Sequence, residues 1–109
     1  MAQCWSFYPA KILGCFGDGG AVTTNDEAMY KYLKDARDHF KSDARDWGVN
    51  SRLSNLQAAF LNVRFKYIES MLKRRAEIAK MYDEGLKNLP MRLPSNSKGR
   101  VYQDYIIQV

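Results

Sequence analysis

The sequence has one histidine, His39, and two cysteines, Cys4 and Cys15, in 109 residues. Two thiols without a CxxC spacing cannot build a disulfide framework, and no His/Cys cluster surrounds His39, so the expectation is free thiols, a reducing compartment and no metal site. Long apolar runs are also missing. Nothing approaches the roughly 20 residues that cross a bilayer, and the opening MAQCWSFYPAK lacks the basic-then-apolar order of a secretory signal. A cytoplasmic location is the expectation. Neither GxxxxGK[ST] nor GxGxxG occurs, which disfavours a nucleoside triphosphate loop or a dinucleotide crevice. Internal repeats and low-complexity tracts are absent as well.

What is present is the composition of a foldable unit, with 46% apolar and 27% charged residues. Seventeen Lys and Arg against twelve Asp and Glu leave a net charge of +5. That balance favours phosphate-bearing partners without naming one.

Along the chain, residues 4–8 read as a β-prone stretch closed by Pro9, which cannot donate to a sheet ladder. A glycine-rich loop follows, with an Asp18-Gly19 turn signal, and Ala21 to Thr24 reads as a short strand. Thr24 and Glu27 have the spacing of a capping box, and Met29, Tyr32 or Leu33, Ala36 and Phe40 trace an amphipathic helix to about residue 40. The polar stretch 41–52 predicts a loop. Ser54 and Gln57 repeat the capping-box spacing and open a helical pattern that runs to about Leu89, interrupted only by Gly85, as one long helix or two with a bend. Its polar face offers Glu69–Lys73, Lys73–Glu77 and Asp83–Lys87 at i, i+4. Pro90 and Pro94 end it, and VYQDYIIQV (101–109) predicts a final strand. Because both ends fall inside apparent strands, the chain reads as a segment of something larger.

Lys11 follows a strand and a proline and precedes the glycines, so its amine is held beside a concave backbone. Ser6, on the preceding strand, has a hydroxyl that can donate to phosphate oxygen. Taken alone, these residues read first as an exposed lysine, a polar strand serine and an ordinary turn.

The order SFYPAK, then ILGCFGDGGAVTTNDE, then GVNSRLSNLQAAFL, then RRAEIAKMYDEGLKNLP resembles the DegT/DnrJ/StrS nucleotide-sugar aminotransferases. The resemblance covers nearly the whole chain. It implies an α/β, helix-rich segment of a fold type I transferase: residues 1–53 as the end of the large domain that binds pyridoxal 5′-phosphate, and 54–109 as a linking helix and the start of the small domain. It implies that Lys11 is the catalytic residue, forming the internal aldimine and shuttling protons while the cofactor acts as electron sink. By the same resemblance Ser6 contacts the cofactor phosphate, Asn50 reaches the phosphate of a neighbouring subunit's cofactor, and the enzyme is a dimer or higher oligomer. The reaction implied is transfer of an amino group, from glutamate, to a keto group of a nucleotide-linked sugar. Family members often carry His-Gly after the first helix, where this chain has His39-Phe40. The family's aspartate for the pyridine nitrogen and its ring-stacking residue lie upstream of the matched stretch, so the 109 residues alone are expected to associate and not to turn over. Two other classes remain open from residues alone: a basic nucleic-acid-binding module built on Lys73-Arg74-Arg75 with Phe65 and Tyr67, and a catalytically dead interaction segment with an apolar helix face.

Overall fold

Ala2–Ser6 (β1) and Gly20–Thr24 (β2) pair antiparallel in the computed structural model, which describes every residue except Asp43 and Arg45. The register runs from Ala2 opposite Thr24 to Ser6 opposite Gly20. The Trp5 indole N–H donates to Thr23 Oγ1 at 3.0 Å across the ribbon. β1 stops two residues short of the expected Tyr8. There the Tyr8 amide turns inward to Ser6 Oγ at 3.3 Å, and the Lys11 amide donates to the Tyr8 carbonyl at 2.8 Å.

Helix α1 spans Glu27–Ala36. Its N-cap is Asp26, whose Oδ1 accepts from the Met29 amide at 3.0 Å, rather than the expected Thr24. Thr24 instead accepts from the Asp26 amide, one step before the helix. The helix ends four residues before Phe40. His39 and Phe40 have φ of 61° and 50°, and the Phe40 amide bonds the Asp35 carbonyl at 2.9 Å, the long return bond of a left-handed helix ending. The expected loop over 41–52 follows, with Asp43 and Arg45 lying outside the described residues.

The long helical pattern divides into α2 (Asn55–Phe65) and α3 (Ile68–Leu86). The break falls at Lys66 and Tyr67, whose amides tighten to bonds three residues back, onto Val63 and Arg64. Gly85 lies inside α3 and breaks nothing. Ion pairs on α3 and at its end are Arg74–Glu77 and Lys87–Glu84, both i, i+3, in place of the i, i+4 pairs that the spacing offered.

By its contacts the chain forms two compact units, Met1–Asn62 and Val63–Val109. In the first, Phe40, Cys15 and Leu61 are buried; in the second, Ala79. The expected final strand over 101–109 does not form. Only a single bridge joins Arg92 to Gln108. The carbonyls of Tyr102 and Gln103 are taken by the Arg75 guanidinium at 3.0 and 3.1 Å, and the Tyr105 hydroxyl donates to Asp83 Oδ1 at 2.6 Å. An α3 side chain, not a neighbouring strand, therefore takes the carbonyls of Tyr102 and Gln103. No described helix is long and apolar enough to cross a membrane.

Candidate functional site

The residues between β1 and β2 form a loop tied at its base. Phe7, just after β1, donates its amide to the Gly19 carbonyl at 2.8 Å and accepts at its own carbonyl from the Cys15 amide at 2.7 Å. Those two bonds close residues 8–14 into a turn, with Lys11 within it. Gly14 is what lets the turn close. A Cβ there would lie 2.6 Å from the Tyr8 carbonyl oxygen and 2.7 Å from that of Pro9, backbone atoms that cannot move aside.

Ser6 and Lys11 bracket the same residue, since Ser6 Oγ accepts from the Tyr8 amide and the Lys11 amide donates to the Tyr8 carbonyl. The Ser6 hydroxyl is exposed and keeps its proton for donation outward. The Lys11 amine is exposed too, without a hydrogen-bond or ion-pair partner among the described residues.

Asn50 belongs to a different part of the first unit. Residues 49–51 pair with the end of α1: the Val49 amide donates to Ala36, the Ser51 amide to Arg37, and Asn50 bridges Asp38. Arg52 Nε donates to Asn50 Oδ1 at 3.2 Å, and its Nη1 lies 3.2 Å from Asp38 Oδ1, which also takes Lys41 Nζ at 3.0 Å. The hydrogen bond from Lys41, with the charge of Arg52 and against partial desolvation, holds the Asp38 carboxyl below the usual carboxylate range. With its oxygen engaged, Asn50 presents its side-chain NH2 as the remaining donor. Lys34, Arg37, Lys41 and Arg52 line a shallow basin of about 230 Å³ together with Asp35 and Asp38, and none of Ser6, Lys11 and Asn50 borders it. Ser6 and Lys11 are thus brought together, and among the described residues no contact joins Asn50 to them.

The donor set suits a phosphate-bearing aldehyde. A free primary amine is available for the carbonyl, and the Ser6 hydroxyl and Asn50 amide are neutral donors for phosphate oxygens. By contrast, the basic cluster on α3 is largely committed within the chain. Arg74 pairs with Glu77, and Arg75 spends its guanidinium on two backbone carbonyls.

One residue of the site escaped the sequence reading. Gln57 has the spacing of a capping-box partner for Ser54, and its amide does donate to Ser54 Oγ at 3.2 Å. Its side chain goes elsewhere, with Oε1 accepting from the Phe16 amide at 2.9 Å on the lysine loop. Only the coincidence of a polar helix start and a glycine-rich loop signalled this, and neither pattern identifies the other.

The solved structure of Streptomyces venezuelae DesV, in complex with a ketimine intermediate, matches with a TM-score of 0.90 at 38% identity, over 97% of this chain and 30% of that one. The fold is that of a segment of a fold type I aminotransferase. Residues 1–109 match the DegT/DnrJ/EryC1/StrS aminotransferase family, and the chain belongs to that family. It is 44% identical over 89 residues to a dTDP-3-amino-3,4,6-trideoxy-alpha-D-glucose transaminase of Streptomyces venezuelae, covering 79% of this chain and 24% of the relative. It is 42% identical over 113 residues to a dTDP-3-amino-3,6-dideoxy-alpha-D-galactopyranose transaminase of Aneurinibacillus thermoaerophilus, covering 99% and 31%. The chain therefore spans 24–31% of the length of these relatives.

Proposed function

We propose that these residues are the lysine-bearing segment of a pyridoxal phosphate-dependent aminotransferase that moves an amino group from glutamate to a keto group of a nucleotide-linked sugar. The observation that carries this reading is the unpartnered Lys11 amine on a turn pinned at its base, beside the outward Ser6 hydroxyl, in a chain of this family. The substrate class is taken from the relatives' names, which are nucleotide-sugar transaminases.

When bound, the cofactor supplies an electron sink for charge developing on the amine-bearing carbon of the substrate. The chain's own residues supply the rest. Lys11 Nζ holds the cofactor covalently and, once released, moves a proton between the reacting atoms. The Ser6 hydroxyl donates to a phosphate oxygen, and the Asn50 side-chain NH2 donates to the phosphate held by a neighbouring subunit, so the enzyme is a homodimer or higher oligomer. Residues 1–53 form the end of the cofactor-binding domain, and 54–109 a linking helix with the opening of the small domain, in an α/β, helix-rich arrangement. The enzyme works in the cytosol, where Cys4 and Cys15 remain thiols.

The test is amino transfer from isotopically labelled glutamate to a keto-sugar nucleotide, in a full-length enzyme carrying this segment. Lys11→Ala is expected to lower turnover by about a thousandfold. Mixing Lys11→Ala with Asn50→Ala subunits is expected to restore one intact site per hybrid dimer. Undiminished turnover in Lys11→Ala removes the assignment of the lysine. Hybrids no more active than their parents remove the shared site.

A further inference from the structure

The basin at the end of α1 gathers more positive charge than the fold consumes. Lys34, Arg37, Lys41 and Arg52 line it with Asp35 and Asp38, so cations outnumber carboxylates. Both carboxylates are engaged within the cluster. Asp38 takes Lys41 at 3.0 Å and Arg52 at 3.2 Å, and Asp35 accepts from the Ser42 hydroxyl at 3.2 Å. Lys34 and Arg37, by contrast, are exposed and have no hydrogen-bond or ion-pair partner among the described residues.

A helix ends in unpaired carbonyls, whose partial negative charge ordinarily repels an anion. Here the carbonyls of Asp35, Ala36 and Arg37 are covered. That of Ala36 accepts from the Val49 amide at 2.8 Å, that of Arg37 from the Ser51 amide at 2.9 Å, and that of Asp35 from the amides of Asp38 and Phe40 at 3.0 and 2.9 Å. Gly48 lets the returning stretch lie so close. A Cβ there would stand 2.6 Å from the Ala36 carbonyl oxygen and 2.8 Å from the His39 Cα. The backbone of this helix end is thereby closed off, and the Lys34 and Arg37 side chains are left for an external anion.

Size narrows the choice of anion. A space of about 230 Å³ equals about eight waters at their share of the liquid, which suits a diphosphate group and leaves a single phosphate loose. We propose that the basin binds a diphosphate group, with Lys34 and Arg37 as its direct donors and Lys41 and Arg52 as supporting charge. The proposal rests on the basin and not on the role given to Lys11. Such a group has two sources, free diphosphate and the diphosphate of a nucleotide. The aminotransferase reading supplies the second, in its nucleotide-linked sugar.

Calorimetric titration of the 109-residue chain with inorganic diphosphate, at fixed ionic strength, is the test. Saturable binding is expected, and Arg37→Gln is expected to weaken it by about tenfold, the worth of one hydrogen bond to a charged group. Lys34→Gln is expected to act in the same direction. Lys31→Gln is the control, because it removes the same charge from the same helix at a residue outside the basin and already paired with Glu27 at 2.8 Å. That variant is expected to keep its affinity within about twofold, since screening limits what a distant exposed charge contributes. Repeating the titration with dTDP distinguishes the sources. Tighter binding, with the same loss in Arg37→Gln, assigns the site to a nucleotide, and equal binding assigns it to the anion alone.

Absence of saturable binding for both ligands overturns the proposal. So does an equal loss in Arg37→Gln and Lys31→Gln, which would make the attraction one of net charge. Loss in Lys11→Ala with Arg37→Gln unaffected would put the anion at the lysine turn and also overturn it, as would a DNA oligonucleotide that binds more tightly than either diphosphate. None of these results removes the assignment of Lys11, which covalent trapping of the cofactor reads separately.

Discussion

Tyr105 ties the C-terminal segment to α3 through its side chain. Its hydroxyl donates to Asp83 at 2.6 Å, and its ring lies against Tyr82 and Tyr102 at centroid distances of 5.1 and 6.4 Å. Partial desolvation, then the hydrogen bond to the Asp83 carboxylate and that group's charge, push the phenol up to about 12 from an ordinary 10.0. The folded state thus favours the neutral phenol. Its contribution is complete below the unfolded value, near pH 10, and is lost as pH rises through about 12. An ultraviolet tyrosinate titration is expected to find one of the seven tyrosines ionising after the rest, and Tyr105→Phe is expected to remove that last step. An unchanged last step in Tyr105→Phe would assign it to another residue. At this scale the sequence was uneven. The constrained loop that holds Lys11 was legible because a strand, a proline and a run of glycines announce it. Gln57 and Arg75 were not, because a polar residue at a helix start reads as a cap, and an arginine among charges reads as solvated surface. Their targets are backbone groups 41 and 28 residues distant, respectively.

Among the elements, the end of α1 is the least expected. Non-glycine residues in the left-handed region cost about 1–2 kcal/mol each, and His39 and Phe40 adopt it in succession. Burial offsets that cost: Phe40 is 1% exposed, and its ring meets Tyr32 edge-on at 5.3 Å. His39, exposed, contributes no such burial. His39→Gly is therefore expected to raise stability by up to about 1 kcal/mol in urea unfolding. Phe40→Gly relieves the same strain but loses a buried ring worth about 3–5 kcal/mol, for a net loss of about 2–4 kcal/mol. A Phe40→Gly chain as stable as wild type would mean that the ring does not hold this turn. The His-Gly that family members often carry would relieve the strain at the second position alone, where this chain has the buried Phe40. Strand and helix positions were otherwise readable from alternation and the apolar stripe. The place of the break at Lys66–Tyr67 was not, since no Pro or Gly marks it, nor was the lack of a final strand over 101–109, because β-prone residues pair only where an edge is available.

Across the whole molecule, few apolar residues are buried while many large ones face outward: Trp47 is 97% exposed, Ile106 67%, Leu56 66% and Phe65 61%. Surfaces of this kind mark contact with further protein. That accords with a chain spanning 24–31% of relatives whose remaining length has no counterpart here. The family and the fold of the segment were within reach of the sequence because stretches resembling the family follow one another in order along it. The second unit's closure by side chains was visible only in three dimensions. The central claim is that Lys11 is the residue that carries the cofactor, and covalent trapping addresses it most directly. A full-length enzyme bearing this segment, loaded with pyridoxal phosphate, reduced with borohydride and digested, should yield the pyridoxyl group on the peptide containing Lys11 at close to one per chain. Stoichiometric label on any other lysine would contradict the account.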